Sequence, residues 1–271
     1  MKRLLFADFY RLTKSKGPLI LLIASFGFML LTGLMDGFMF GNAKWLTTQY
    51  EEIFGFNPFP ETAEMIGYEM NNLGDFVSFG LSGTLNAFLV LFIMIFIVPM
   101  RRSGFIKNIA SEFKRSSFFF TQSIIIMLYA FLVTFGAASA MILTSFIFFR
   151  NFPVGNPLHI LIHIFVTALL NTAVGIVVLT LTDLMKKQIS AVILSLVYIM
   201  VISPMLITIG SIGSTYSSSP FRIAYISLMG NISLLTVGKW MTVLSAIFVI
   251  VCYVGLCVVL ELTVVKKKDF L

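Results

Sequence analysis

Charged residues are scarce in this chain: Asp, Glu, Lys and Arg make up 11% of its 271 residues, where a soluble domain carries about 25%. So few charges cannot clothe a compact globule in solvated surface, which excludes a soluble enzyme. A hydrophobic content of 58% excludes a disordered scaffold. Cysteine is scarcer still. Cys252 and Cys257 both sit in the last apolar block, so there is no disulfide framework of the secreted kind, and the pair reads as small apolar packing residues. No G-x-x-x-x-G-K-[ST] occurs, which excludes ATP binding through a P-loop, and no H-E-x-x-H occurs. His159 and His163 have the i, i+4 spacing of a metal pair, but no carboxylate or cysteine stands near them in sequence. They read as interfacial residues rather than ligands.

What is present is apolar and comes in blocks, with a mean hydropathy of +0.98. A spanning helix needs about 20 mainly apolar residues. Six blocks qualify: 17–36, 76–99, 118–149, 158–182, 189–209 and 241–263. The expectation is an all-α polytopic membrane protein with six transmembrane helices forming one domain over 1–271. The third block is long for an upright helix, so it tilts or its ends, Phe118, Phe119 and Phe120 among them, lie at the interface. Within it, Gly136, Ala137 and Ala138 allow a bend or close packing. No A-x-A site follows the first block, which reads as a retained span and not a cleaved signal.

The formal charge of +7 reports topology before any nucleic-acid partner. Of the 19 Lys and Arg residues, fifteen fall in the N-terminus, 100–117, 183–188 and the tail, and four in the alternate segments. The positive-inside rule then places both termini in the cytoplasm, with an even number of spans in a cell membrane. Trp45 and Trp240 fall on the outer side, as belt residues do.

Residues 1–16 read as an interfacial amphipathic helix with Leu5, Phe9 and Leu12 on one face and Asp8, Arg11 and Lys14 away from it. Segment 37–75 is an external excursion, rich in acids and aromatics, with a turn at Asn57-Pro58-Phe59-Pro60; it reads as a cap of short amphipathic pieces lying on the membrane. Segment 100–117 is cytoplasmic and helically periodic. Phe105, Ile109 and Phe113 repeat every four residues, and Asn108, Glu112 and Arg115 share another face. Positive-inside charge explains its basic residues but not its periodicity. Segment 210–240 is external yet apolar, so it dips back against protein. Asn231-Ile232-Ser233 matches a glycosylation sequon of high chance frequency.

Ionisable residues are nearly absent from mid-span positions: Asp183 and Glu261 lie at cytoplasmic ends, Asp36 and Asp75 at outer ends. This argues against secondary transport, ion selectivity and proton relays. Asn86, Asn171, Tyr198, Ser203 and Pro204 are the mid-span polar or kinking residues. Their ordinary role is interhelical hydrogen bonding or a bend; lining a substrate path is the alternative for Asn86 and Tyr198. Gly33, Gly37 and Gly41 have the spacing that lets helices approach closely.

This arrangement resembles the membrane subunits of ABC-2-type (type V) exporters over essentially the whole chain. Leu4 to Lys16 is similar to their interfacial start. Gly104-Phe105-Ile106-Lys107-Asn108-Ile109, followed by Lys114-Arg115, resembles the family's G-x-x-K-N-x element after the second span. The family often has Ser-Lys at the start of the third span, where this chain has Thr121-Gln122. The resemblance implies that 100–117 is a coupling helix in which Gly104, Lys107, Asn108, Glu112, Lys114 and Arg115 meet a separate ATP-binding subunit. That partner would hold the ATP and magnesium, with no cofactor and no catalysis in this chain. It implies a second permease chain, identical or related, and a path lined by the second and fifth spans, here through Phe79, Asn86, Tyr198 and Ser203. Small permeases with a sizeable first external loop resemble those of peptide-antibiotic export and immunity systems, which points to a hydrophobic or amphipathic peptide. The competing readings are a non-transporting sensor or assembly subunit of the same topology, and an intramembrane lipid enzyme, for which no nucleophile or acid–base pair is found.

Overall fold

A computed structural model of the chain describes residues 2–54, 72–81, 85–99, 115–148, 154–185, 188–202, 205, 227–235 and 237–263. Every regular element among the described residues is helical: α1 (Lys2–Lys14), α2 (Lys16–Phe54), α3 (Leu73–Gly80), α4 (Leu85–Phe92), α5 (Arg115–Phe148), α6 (Pro157–Leu184), α7 (Gln188–Val197), α8 (Leu228–Leu234) and α9 (Trp240–Thr263). Two of them run on into a π-helical turn, α4 through Ile93–Ile97 and α7 through Tyr198–Ile202. In an apolar medium each backbone N–H and C=O must be satisfied within its own segment, and a helix does this along its whole length.

Among the described residues, four helical stretches are long and apolar enough to cross a membrane: Lys16–Gly37, Ser117–Ile147, Pro157–Leu184 and Trp240–Thr263. A fifth is made if α3 and α4, which differ in direction by 43°, count as one broken span. Of the block expected at 189–209, residues 189–202 and Met205 are described, and the rest lies outside the described residues.

α6 stands at the centre. It packs against α3, α4, α5, α7, α8 and α9, and from Leu170 to Ile176 every residue is buried. α5 is its main neighbour and in turn holds α1, α2 and α3. Small residues set these distances. A Cβ on Gly33 of α2 would strike Thr144 and Met141 of α5, and a Cβ on Gly80 would strike the same Met141. A Cβ on Gly175 of α6 would strike Ile126 and Leu89. Tyr129 of α5 ties three helices: its ring stacks on Phe92 of α4 at 3.8 Å and 10°, and its hydroxyl donates to the Pro18 carbonyl of α2 at 3.3 Å.

One end of the bundle is closed by caps. Asn72 accepts from the Asp75 N–H at 3.1 Å, Asn156 from Leu158 at 3.0 Å, and Ser227 from Gly230 at 2.8 Å. Each supplies an acceptor to a helix start that has none of its own. Gly155 (φ 70°) and Gly238 (φ 83°) turn the chain into α6 and α9 through the left-handed region that glycine enters without steric cost.

Several sequence expectations are corrected. α2 does not stop near Asp36 but continues unbroken to Phe54. No proline falls between Pro18 and Pro58 to break it, and its 39 residues extend about 58 Å at ~1.5 Å per residue, well beyond a hydrocarbon layer of ~30 Å. Residues 55–71 lie outside the description. Phe118 and Phe119 are buried in protein, and only Phe120 is exposed. α1 packs on protein in addition to carrying the apolar stripe expected of an interfacial helix: Leu4 and Asp8 are buried, Leu5 and Leu12 pack partly on the core, and Phe6, Phe9 and Tyr10 face out. The reason is that α1 packs on α5 as well as lying beside α2, so protein covers one side and leaves the aromatics to the surroundings. Asn231 is 3% exposed. Its side chain donates to the Ser227 carbonyl at 2.9 Å and accepts from Ser245 at 3.0 Å, so it is a buried bridge and not a glycan acceptor.

Replacing Gly33 by Leu is expected to destabilise the protein by about 1–3 kcal/mol through overpacking. Gly27→Leu, at a site with open space around it, should leave thermal unfolding in detergent unchanged within error. Burial pushes the Asp8 carboxyl up from 3.8 to about 6, against the lowering effect of Arg11. A carboxyl whose folded value is raised favours the docked helix when protonated. Docking of α1 is therefore strongest below about pH 4 and weakens as pH rises through 6. Hydrogen exchange of residues 2–14 should show that loss, and Asp8→Asn should abolish it.

Candidate functional site

The candidate site is an apolar cavity of about 320 Å³ on the flank of α6. α7 and α9 both pack on α6, and the cavity lies between them. α6 contributes Val174, Val177, Val178 and Leu181, a single stripe at i, i+3, i+4 and i+7. α7 contributes Leu194, Ser195, Tyr198, Ile199 and Ile202, α8 closes one side with Leu228 and Met229, and α9 contributes Tyr253. Leu194, Tyr198 and Ile202 are also exposed at the surface of the bundle, so the cavity opens sideways on the apolar face of α7.

The π-helical turn places part of this wall. One extra residue in a turn rotates everything after it by about 100° relative to an unbroken α-helix. In α7 the turn starts at Tyr198, so the faces before and after it differ. The π-turn of α4 and that of α7 belong to the two helices expected to line a path, and each of these helices touches the other. Such turns often mark functional sites.

Of the four residues expected to line a path, one lines this cavity. Tyr198 does. Phe79 on α3 is partly buried and Asn86 in the first turn of α4 is fully buried, and neither lines it. Ser203 lies outside the described residues, as do Gly104, Lys107, Asn108, Glu112 and Lys114. Arg115 is the first residue of α5, and its side chain is not described. Tyr253 was missed at the sequence level, although a tyrosine amid apolar residues is the same signal that singled out Tyr198.

Other polar residues make contacts within the bundle. Asn171 of α6 donates to Thr134 of α5 at 2.9 Å, both buried. Ser78 of α3 donates to the Leu235 carbonyl at 3.1 Å. His159 packs edge-on against Trp240 at 6.2 Å. His163 is buried rather than interfacial; the cleft the two histidines share with Gly238 and Lys239 measures about 10 Å³, too small for a ligand. No group of three metal-ligating side chains occurs among the described residues.

No protein-family model matches the chain, and no curated protein and no solved structure is significantly similar to it.

A double-mutant cycle on Asn171→Leu and Thr134→Val should return a coupling free energy of about 0.6–1.7 kcal/mol, the range of hydrogen bonds between membrane helices. Unfolding in mixed micelles provides the measurement.

Proposed function

We propose that the chain is the permease subunit of an ABC-2-type exporter, with six spans, both termini in the cytoplasm and ATP hydrolysis in a separate subunit. One observation carries this reading: a helically periodic, basic cytoplasmic segment, Arg101 to Ser117, holds the G-x-x-K-N-x pattern at Gly104, Lys107 and Asn108 and stands between the second and third apolar blocks. Membrane insertion alone asks for charge there, not for periodicity.

Other features support it. The charge alternation gives the topology. The described residues are all-helical with apolar helices of spanning length. No P-loop and no ionisable mid-span group supplies energy from within the chain. α7 presents a continuous apolar outer face, including Ile193, Leu194, Val197 and Val201, which suits a second permease chain or lipid. The cargo proposed is hydrophobic or amphipathic, a peptide for preference, because the large interior surfaces carry almost no charge. The non-transporting sensor reading shares this topology and differs only in moving nothing.

Gentle extraction from the native membrane followed by mass spectrometry should recover a stoichiometric ATP-binding subunit, lost when residues 101–117 are altered. Replacing Glu112 and Arg115 together should lower transport by roughly 5- to 150-fold, the span of ordinary coupling free energies, while membrane insertion is unchanged. Undiminished transport in that variant, or a chain recovered without any ATPase, would count against the exporter.

A further inference from the structure

We infer that the π-turn of α4 is a hinge, set by Pro99 and seated on Gly17, through which a displacement of the segment after Pro99 passes to the joint between α1 and α2. Only the source of that displacement, a soluble partner on 100–117, rests on the exporter reading; the hinge does not.

Pro99 is the cause of the turn. A proline inside a helix brings no N–H, and its ring strikes the carbonyl four residues back, here that of Ile95. A wider turn moves that carbonyl aside. The Val98 N–H accordingly reaches back five residues to the Ile93 carbonyl, not four to that of Met94, and Pro99 has no N–H to offer Ile95. Adjacent rungs of the ordinary ladder are lost together, and helices bend at prolines and π-turns for that reason. The same spacing recurs in α7. Its π-turn ends at Ile202 and Pro204 follows two residues later, as Pro99 follows Ile97.

The turn is held firmly on one side and seated on the other. Phe92, just before it, stacks on Tyr129 of α5 at 3.8 Å, and the Tyr129 hydroxyl donates to the Pro18 carbonyl. The arm of α4 that precedes the turn is thus fixed to α5 and α2 together. Within the turn, Ile95 closes on Gly17, where a Cβ would lie 2.8 Å from Ile95 Cγ2. Only a residue without a side chain allows that approach. Gly17 follows Lys16, the first residue of α2, and α1 ends at Lys14, so Ile95 bears on the joint between the two helices. The other arm, Val98 and Pro99, leads straight into 100–117. A swing of that arm about the fixed Phe92 therefore presses Ile95 against the joint or draws it away.

The test uses the full chain in lipid nanodiscs, with Cys252→Ser and Cys257→Ala as background. Gly17→Cys and Ile95→Cys are added; one C–C bond of ~1.5 Å beyond the 2.8 Å contact brings their Cβ atoms within the ~3.5–4.5 Å of a disulfide. Under mild oxidant the pair should close. Pro99→Ala returns an N–H to the Ile95 carbonyl and should slow closure by about fivefold, the worth of one net backbone hydrogen bond. Spin labels are coupled through p-acetylphenylalanine at position 103, beyond the hinge, and at position 132, exposed on α5. Their distance distribution, read by double electron–electron resonance, should narrow when the disulfide is closed and broaden again on reduction. A pair that does not close, or that closes as fast in a folded Pro99→Ala variant, would overturn the hinge. So would a 103–132 distribution indifferent to the disulfide. That comparison keeps Pro99, so it stands even if Pro99→Ala fails to fold. It needs no ATPase, so it separates loss of the hinge from loss of the exporter reading.

Discussion

The packing of α6 governs the rest of this structure. A helix buried on nearly all sides must meet each neighbour with a complementary surface, and six of the helices described do pack on it. Where a neighbour must come close, the sequence supplies a small residue, as at Gly175 against Ile126 and Leu89. Between α6 and α5 two polar groups carried inside meet each other, Asn171 and Thr134. Where α7 and α9 each take their own side of α6, the space between them is left as the cavity. In an apolar medium there is little hydrophobic force between helices, so close fit and satisfied hydrogen bonds hold the bundle together.

Two surfaces then carry the functional reading, and they lie on different levels. The helical periodicity of 100–117 is a property of the sequence, and it is the proposed function that assigns it a soluble partner. The cavity on the flank of α6 is a property of the packing. α7 borders the cavity, and its π-turn begins at Tyr198. A turn of this kind is less tightly wound than the α-helix around it, so a change in the angle of α7 would reach Tyr198 directly. α1 adds a third surface. Its buried Leu4 and Asp8 hold it to the bundle while Phe6, Phe9 and Tyr10 face outward.

The legibility of these features in the sequence follows a pattern. Gly33 as a close-approach residue and Asn171 as an interhelical donor were readable, because spacing and polarity within one helix suffice to suggest them. The dip of segment 210–240 back against protein was readable because an apolar loop has nowhere else to go; of its described part, Leu228, Met229 and Ile232 are inside, while 210–226 lies outside the described residues. The inward face of α1 was not. Leu5, Phe9 and Leu12 are the obvious stripe for a helix on a lipid surface, but α5 stands beside α1 and selects Leu4 and Asp8 instead. Asn231 reads as a surface sequon in a string of letters and becomes a buried bridge between Ser227 and Ser245 only when α8 is laid on α9.

The sequence by itself determined the medium and the element type. Too few charges to solvate a surface, and apolar blocks near the length of a bilayer, permit little but helices in a membrane, because backbone polar groups have no other way to be satisfied there. The tertiary structure alone decided which side of each helix is interior and where space is left over. Hydropathy is nearly uniform around the long helices α2, α5, α6 and α9 and carries little information on their rotation, and Tyr198 and Tyr253, far apart in the chain, border one cavity only through the way α7 and α9 sit on α6.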